Sequence, residues 1–127
     1  EGREVAITIL ENEEELFFEE VELIFPESNE FKYQAYTLEI KQKVDIEIKK
    51  SRYLSDKDII NLKQLYSNLS PNKLVRIDGR IKNAEFYLIE INANPGLYPK
   101  SIVPTTFNIN GYTYDEMIQK LFTYHLN

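Results

Sequence analysis

An α+β fold, with a mostly antiparallel sheet and helices packed on one side, is what this sequence predicts. Three observations predict it. Leu74–Pro104 holds two short alternating segments joined by a polar link. Thr37–Lys49 alternates apolar with charged residues along its length. Ser55–Leu69 and the segment opening at Thr113 carry helical spacing behind a capping residue. The resulting order is strand, strand, long strand or strands, helix, hairpin, loop, helix.

Each element has its own local reason. In Glu1–Leu10, Val5, Ile7 and Ile9 alternate with Glu4, Ala6 and Thr8, as in a strand. There is no initiator methionine, and a strand at the first residue leads us to expect further sequence upstream. Glu11–Glu15 reads as a solvated acidic turn. Leu16–Phe25 is apolar enough for a second strand, ended by Pro26, with Glu19, Glu20 and Glu22 on its exposed side. In Thr37–Lys49, Leu38, Ile40, Val44, Ile46 and Ile48 alternate with Glu39, Lys41, Lys43, Asp45, Glu47 and Lys49. This is one long half-buried strand, or two broken near Gln42. Ser55 is placed to cap a helix with Asp58 near the third position, and Ile59, Leu62, Leu65, Tyr66 and Leu69 form its apolar stripe. Thr113 and Glu116 form a capping box for the last helix, with Met117, Ile118, Leu121, Phe122 and His125 on or near its inner face.

The chain has 127 residues, one domain or part of one, and 43% of them are hydrophobic, enough for a core. A net charge of −6 argues against general nucleic-acid binding, which needs a basic face. It does not exclude a nucleotide, whose phosphates a metal ion screens locally. The absence of cysteine removes disulfides, thiol catalysis and Cys-zinc sites. No apolar run approaches the roughly 18 residues of a membrane span, and no signal peptide is visible. The expectation is a cytoplasmic protein without membrane partners. His125 is the only histidine, so it reads as a C-terminal residue rather than a ligand or base.

The hairpin carries the chemistry. Val75, Ile77 and Ile81 fall on one face of its first strand, and Arg76, Asp78, Arg80 and Lys82 on the other. On the second strand Tyr87, Ile89 and Ile91 share one face, and Phe86, Leu88, Glu90 and Asn92 the other. If Lys82 pairs with Phe86, Asp78 stands opposite Glu90 and Arg76 opposite Asn92. A slip of one residue would separate these pairs onto opposite faces. Asp78, Glu90 and Asn92 then offer three oxygens to a hard cation such as Mg²⁺. A second cation could share Glu90. Arg76 offers a forked donor set for a phosphate or a developing oxyanion. By spacing alone, a salt-bridged solvent face on a surface hairpin is the better-supported reading.

The following loop adds a more specific pattern. Arg76-Ile77-Asp78, then Glu90-Ile91-Asn92-Ala93-Asn94-Pro95-Gly96, then Ser101-Ile102-Val103-Pro104 resembles the ATP-grasp ligases. The likeness is closest to the C-terminal part of the D-alanine–D-alanine ligase family, and it runs more weakly from Gly2-Arg3-Glu4-Val5 to the last helix. The resemblance implies that residues 1–127 are the C-terminal lobe of an ATP-grasp fold, with the other lobes upstream. It implies ATP and two Mg²⁺ ions as cofactors, with Asp78, Glu90 and Asn92 as metal ligands and Glu4 on the nucleotide ribose. It implies that Arg76 and the N–H of Gly96 stabilise an oxyanion. Ser101 and the N–H of Ile102 would bind the carboxylate of the second amino acid, D-alanine or an analogue. The activity implied is carboxylate–amine ligation through an acyl phosphate, in peptidoglycan (cell-wall) biosynthesis. The partners implied are ATP, an amino acid or dipeptide, the parent protein's upstream lobes and a homodimer mate. One motif departs. Where the family carries a phosphate-binding lysine in Y-x-A-K-Y, this chain has Tyr33-Gln34-Ala35-Tyr36. Lys32 and Lys41 are the nearest lysines. Tyr36 supplies no charge, which keeps open a non-catalytic nucleotide- or peptide-binding descendant of the fold.

Overall fold

The computed structural model describes residues 2–12, 15–25, 46–69 and 73–126. Five strands form one antiparallel sheet: β1 (Arg3–Glu11), β2 (Leu16–Ile24), β3 (Glu47–Lys50), β4 (Val75–Lys82) and β5 (Glu85–Asn92). Their order is β3-β2-β1-β4-β5, so β1 is central. The helices are α1 (Asp56–Leu69), α2 (Ile102–Ile109) and α3 (Tyr114–Leu126). The α+β class and the antiparallel sheet are as expected. Most of the Thr37–Lys49 segment, like Tyr33–Tyr36, lies outside the described residues.

The helices do not share one side, as expected, but divide between the two faces. Strand alternation explains it, because β1 is apolar on both sides. Val5, Ile7 and Ile9 pack with Val75, Ile77 and Ile81 against Leu62 and Tyr66 of α1. Ala6 packs against Ile102 of α2, and Leu10 against Val103, Phe107 and Met117. Phe17 stacks on Phe107 with ring centroids 4.0 Å apart. A strand covered on both faces must be apolar at nearly every position, and β1 is buried from Val5 to Leu10. The Tyr66 hydroxyl accepts the Glu11 N–H at 3.0 Å and donates to the Lys73 carbonyl at 2.5 Å, tying α1 to the sheet.

Both expected helix starts are present. The Ser55 hydroxyl accepts the Asp58 N–H at 3.1 Å. The capping box of α3 closes in both directions: the Thr113 N–H donates to Glu116 at 2.9 Å, and the Glu116 N–H to the Thr113 hydroxyl at 3.1 Å. The expected loop after Ser101 is instead the helix α2. Pro104 masks it in the sequence, yet proline is tolerated in a first turn, where its missing N–H would have no intrahelical partner. The helix ends at Asn110-Gly111, with Gly111 at φ 94°. The Gly111 N–H bonds the Asn108 carbonyl and the Tyr112 N–H the Phe107 carbonyl. The Tyr112 and Phe107 rings meet edge to face. This is the Schellman termination that a glycine just past a helix favours.

Glu20 is a second correction. Expected on an exposed face, it is buried. Its carboxylate accepts the Ser51 hydroxyl at 2.5 Å and the N–H groups of Tyr53 at 2.8 Å and Leu54 at 3.0 Å. It fixes the chain between β3 and α1. No helix among the described residues is long and apolar enough to cross a membrane.

Candidate functional site

The site is built on β4 and β5. Asp78 pairs with Glu90 and Arg76 with Asn92, the arrangement the alternation predicts. The route to it differs. The turn residues are Asn83 (φ 53°) and Ala84 (φ 64°), both left-handed as a two-residue hairpin turn of this twist requires. Lys82 therefore pairs with Glu85, not Phe86. A register shift between Asp78 and Gly79 absorbs one extra residue of β5 and returns Asp78 to Glu90. Phe86 consequently pairs with Ile81 and packs against the α1-side core, rather than sharing a face with Glu90. Gly79 makes room for it. A Cβ there would lie 2.4 Å from the Phe86 ring.

Arg76 and Asp78 stand two residues apart on one face and form a two-pronged pair. Nε and Nη2 each donate at 2.9 Å, one to each carboxylate oxygen. Both side chains are about nine-tenths buried. Glu90 is exposed and Asn92 partly so. Asn92 Oδ1 accepts the Asn94 N–H at 3.0 Å and starts the loop. Two carboxylates and one amide oxygen make a hard donor set, the kind that suits Mg²⁺. No cluster of three Asp, Glu or His side chains at metal-binding spacing occurs among the described residues; here the third donor is an amide. Each donor oxygen already bonded to protein retains a lone pair, so the residues fit the ion.

Glu4 lies one rung further along the same face. It pairs with Arg80 across β1 and β4, as Ala6 pairs with Asp78. Burial pushes the Glu4 carboxyl above its ordinary range, the Asp78 charge adds to this, and the Arg80 guanidinium opposes it. Arg80 carried no expected role. Its alternation with Asp78 was visible, but its partner is 76 positions away in the chain.

The loop brings Gly96 and Ser101 together. The Ser101 hydroxyl lies 2.6 Å from the Tyr98 carbonyl and 3.2 Å from the Gly96 carbonyl. Ser101 occupies the N-cap position of α2 without a side-chain cap bond. The hydrogen bonds of its hydroxyl stay within the loop. Ile102, the first residue of α2, is buried against Ala6, so the helix begins over the Asp78 face. Beside the loop, Pro95, Leu97, Tyr114, Ile118 and Phe122 border a cleft of about 490 Å³. Phe122, expected inside, is 60% exposed there. The His125 side chain lies outside the description.

Comparison with known proteins identifies the family and the fold. The family described as D-ala D-ala ligase C-terminus matches residues 1–123. The D-alanine–D-alanine ligase of Petrotoga mobilis is 28% identical over 130 residues, covering 98% of this chain and 42% of that protein. The corresponding ligase of Parvibaculum lavamentivorans is 42% identical over 41 residues, covering 32% of this chain and 13% of that protein. Among solved structures, D-alanyl-alanine synthetase A from Vibrio cholerae aligns with a TM-score of 0.70 at 22% identity, over 100% of this chain and 40% of that one. The D-alanine–D-alanine ligase from Bacillus anthracis complexed with ATP aligns at 0.68 and 19% identity, over 99% and 40%. At such identities the structures show the fold alone, that of an ATP-grasp C-terminal domain. The chain spans less than half the length of these relatives. With the family matching nearly end to end and the fold in agreement, this chain belongs to the D-alanine–D-alanine ligase C-terminal family.

Proposed function

We propose that this chain is the C-terminal lobe of an ATP-dependent carboxylate–amine ligase acting on D-alanine or a close analogue. The observation that carries the reading is the pairing of Asp78 with Glu90 and Arg76 with Asn92 on adjacent rungs of one sheet face. Asp78, Glu90 and Asn92 would hold Mg²⁺, which supplies charge neutralisation at the ATP phosphates. Glu4 accepts a hydrogen bond from the ribose. Arg76, held in place by Asp78, donates to the oxyanion that develops when an amine attacks an acyl phosphate, and the Gly96 N–H joins it. Preorganised donors of this kind stabilise a transition state without reorganising during the reaction. The N–H of Ile102 at the start of α2 binds the carboxylate of the second amino acid. The Ser101 hydroxyl joins it by turning away from the Tyr98 carbonyl.

The adenine, the first substrate and a phosphate-binding lysine belong to the upstream lobes in this reading. Positioning accounts for roughly 7–11 kcal/mol of barrier reduction, so the isolated chain is expected to give no turnover. The complete protein works in the cytoplasm on cell-wall precursors. Calorimetry on that complete protein tests the metal assignment. Glu90→Gln should weaken Mg²⁺-ATP binding, and equal affinity in both proteins would sink it. The second reading, a non-catalytic descendant of the fold, rests on Tyr36 standing where the family has lysine. ADP release that depends on D-alanine would exclude it.

A further inference from the structure

We propose that Arg80 is a positioning residue for the nucleotide, fastening one oxygen of Glu4 so that the other is presented to a ribose hydroxyl. The inference rests on the reading of Glu4 as the ribose contact. Arg80 stands directly opposite Glu4 in the β1–β4 ladder, on the face that carries Asp78 and Arg76. Its Nε and Nη2 both lie 2.8 Å from Glu4 Oε1. Among the described residues no hydrogen bond reaches Oε2, which keeps its full accepting capacity. The Glu4 side chain is only 10% exposed, and burial disfavours its charged form. The Arg80 guanidinium opposes that effect and favours the charged form, in which the carboxyl acts only as an acceptor. The rung lies two residues from the Asp78–Glu90 pair, about 7 Å along the strand. That separation suits a ribose whose phosphate chain reaches the metal ligands. The planar fork of arginine holds one carboxylate oxygen through two N–H groups, which a lysine ammonium on a flexible stem does not reproduce.

Steady-state kinetics of the complete ligase with ATP, 2′-deoxy-ATP and 3′-deoxy-ATP test this. Arg80→Met should raise the KM for ATP about tenfold, the loss of roughly one charged hydrogen bond, with kcat within about twofold. It should also shrink the preference for ATP over the deoxy analogue to that of Glu4→Gln. Arg80→Lys, which keeps the charge, should restore part of the preference. Adding Arg80→Met to Glu4→Gln should change nothing further, because the two act as one unit. An unchanged ribose preference in Arg80→Met, or additive effects in the double variant, would overturn the inference. So would a preference that tracks melting temperature across all the variants, since that is the mark of a structural role. Wild-type enzyme that turns over ATP without ribose preference overturns this inference alone. Wild-type enzyme that neither binds nor turns over ATP overturns the proposed function as well.

Discussion

Substituting Gly79 by alanine should damage fold and site together. A Cβ at Gly79 would sit 2.4 and 2.5 Å from Cε1 and Cζ of Phe86, and 2.6 Å from the Tyr87 carbonyl oxygen. Carbon atoms in good contact stand about 3.5–4.0 Å apart, so the ring would have to retreat by roughly 1 Å. It has little room, because Phe86 packs against the core cluster that includes Ile77 and Ile81. The carbonyl is backbone in β5 and cannot rotate away. Overpacking typically costs about 1–3 kcal/mol. With both a ring and a backbone obstacle, the upper part of that range, about 2–3 kcal/mol, is expected. At roughly 3–5 °C per kcal/mol for a chain of this size, the melting temperature should fall by about 6–15 °C. Urea and thermal unfolding followed by circular dichroism measure this. Adding Phe86→Leu should recover the ring's share and leave the carbonyl's. The register shift lies at Asp78/Gly79, so displacing β5 also moves Glu90 and Asn92 away from their partners. Mg²⁺-ATP affinity of the complete ligase should therefore drop beyond what lost stability explains. A Gly79→Ala protein with unchanged midpoint and melting temperature would refute the account.

Three further outcomes are expected. In the complete ligase, Arg76→Ala should lower kcat by about 10²–10³ while moving the KM for ATP little, because an oxyanion contact strengthens only in the transition state; an effect confined to KM would make Arg76 a ground-state phosphate ligand. Glu20→Ala should destabilise the fold by about 2–3 kcal/mol, since it strands the N–H groups of Tyr53 and Leu54, and chemical denaturation that gave less than about 0.5 kcal/mol would contradict the role of Glu20 as their anchor. The Glu116 carboxyl is held below its ordinary range, chiefly by the hydrogen bond from the Thr113 backbone. Its contribution to α3 is therefore complete above the ordinary carboxylate pKa and lost as pH falls through the lowered folded value. An acid titration of stability for Glu116→Gln should lack that component.

Much of this architecture was legible in local pattern. The alternation of Val5, Ile7 and Ile9, the Ser55 cap and the Thr113–Glu116 box each depend on neighbours within four residues, and each stands in the structure as read. The pairing of Asp78 with Glu90 was legible too, because period-two alternation admits few registers once the charged residues are asked to share a face. The helix after Ser101 was hidden by Pro104, which breaks helices in their interior but not in their first turn.

By itself the sequence determined most of the elements, though not the helix after Ser101, together with the acidic and amide donors and the run from Arg76 through Pro104 that marks the family. Only the tertiary structure decided which charges meet and which are buried. The Glu4–Arg80 pair joins residues 76 positions apart, and it exists because β1 lies between β2 and β4. Glu20 is polar in sequence but buried by a loop that comes to it from beyond β3. The extra residue of β5 is taken up by a register shift beside Gly79, and no local pattern records it, because the shift answers to the Phe86 ring and the core beneath. Alternation and capping are written in short-range chemistry. Burial and charge pairing follow from which strands become neighbours, and that is settled by the packing of the whole chain.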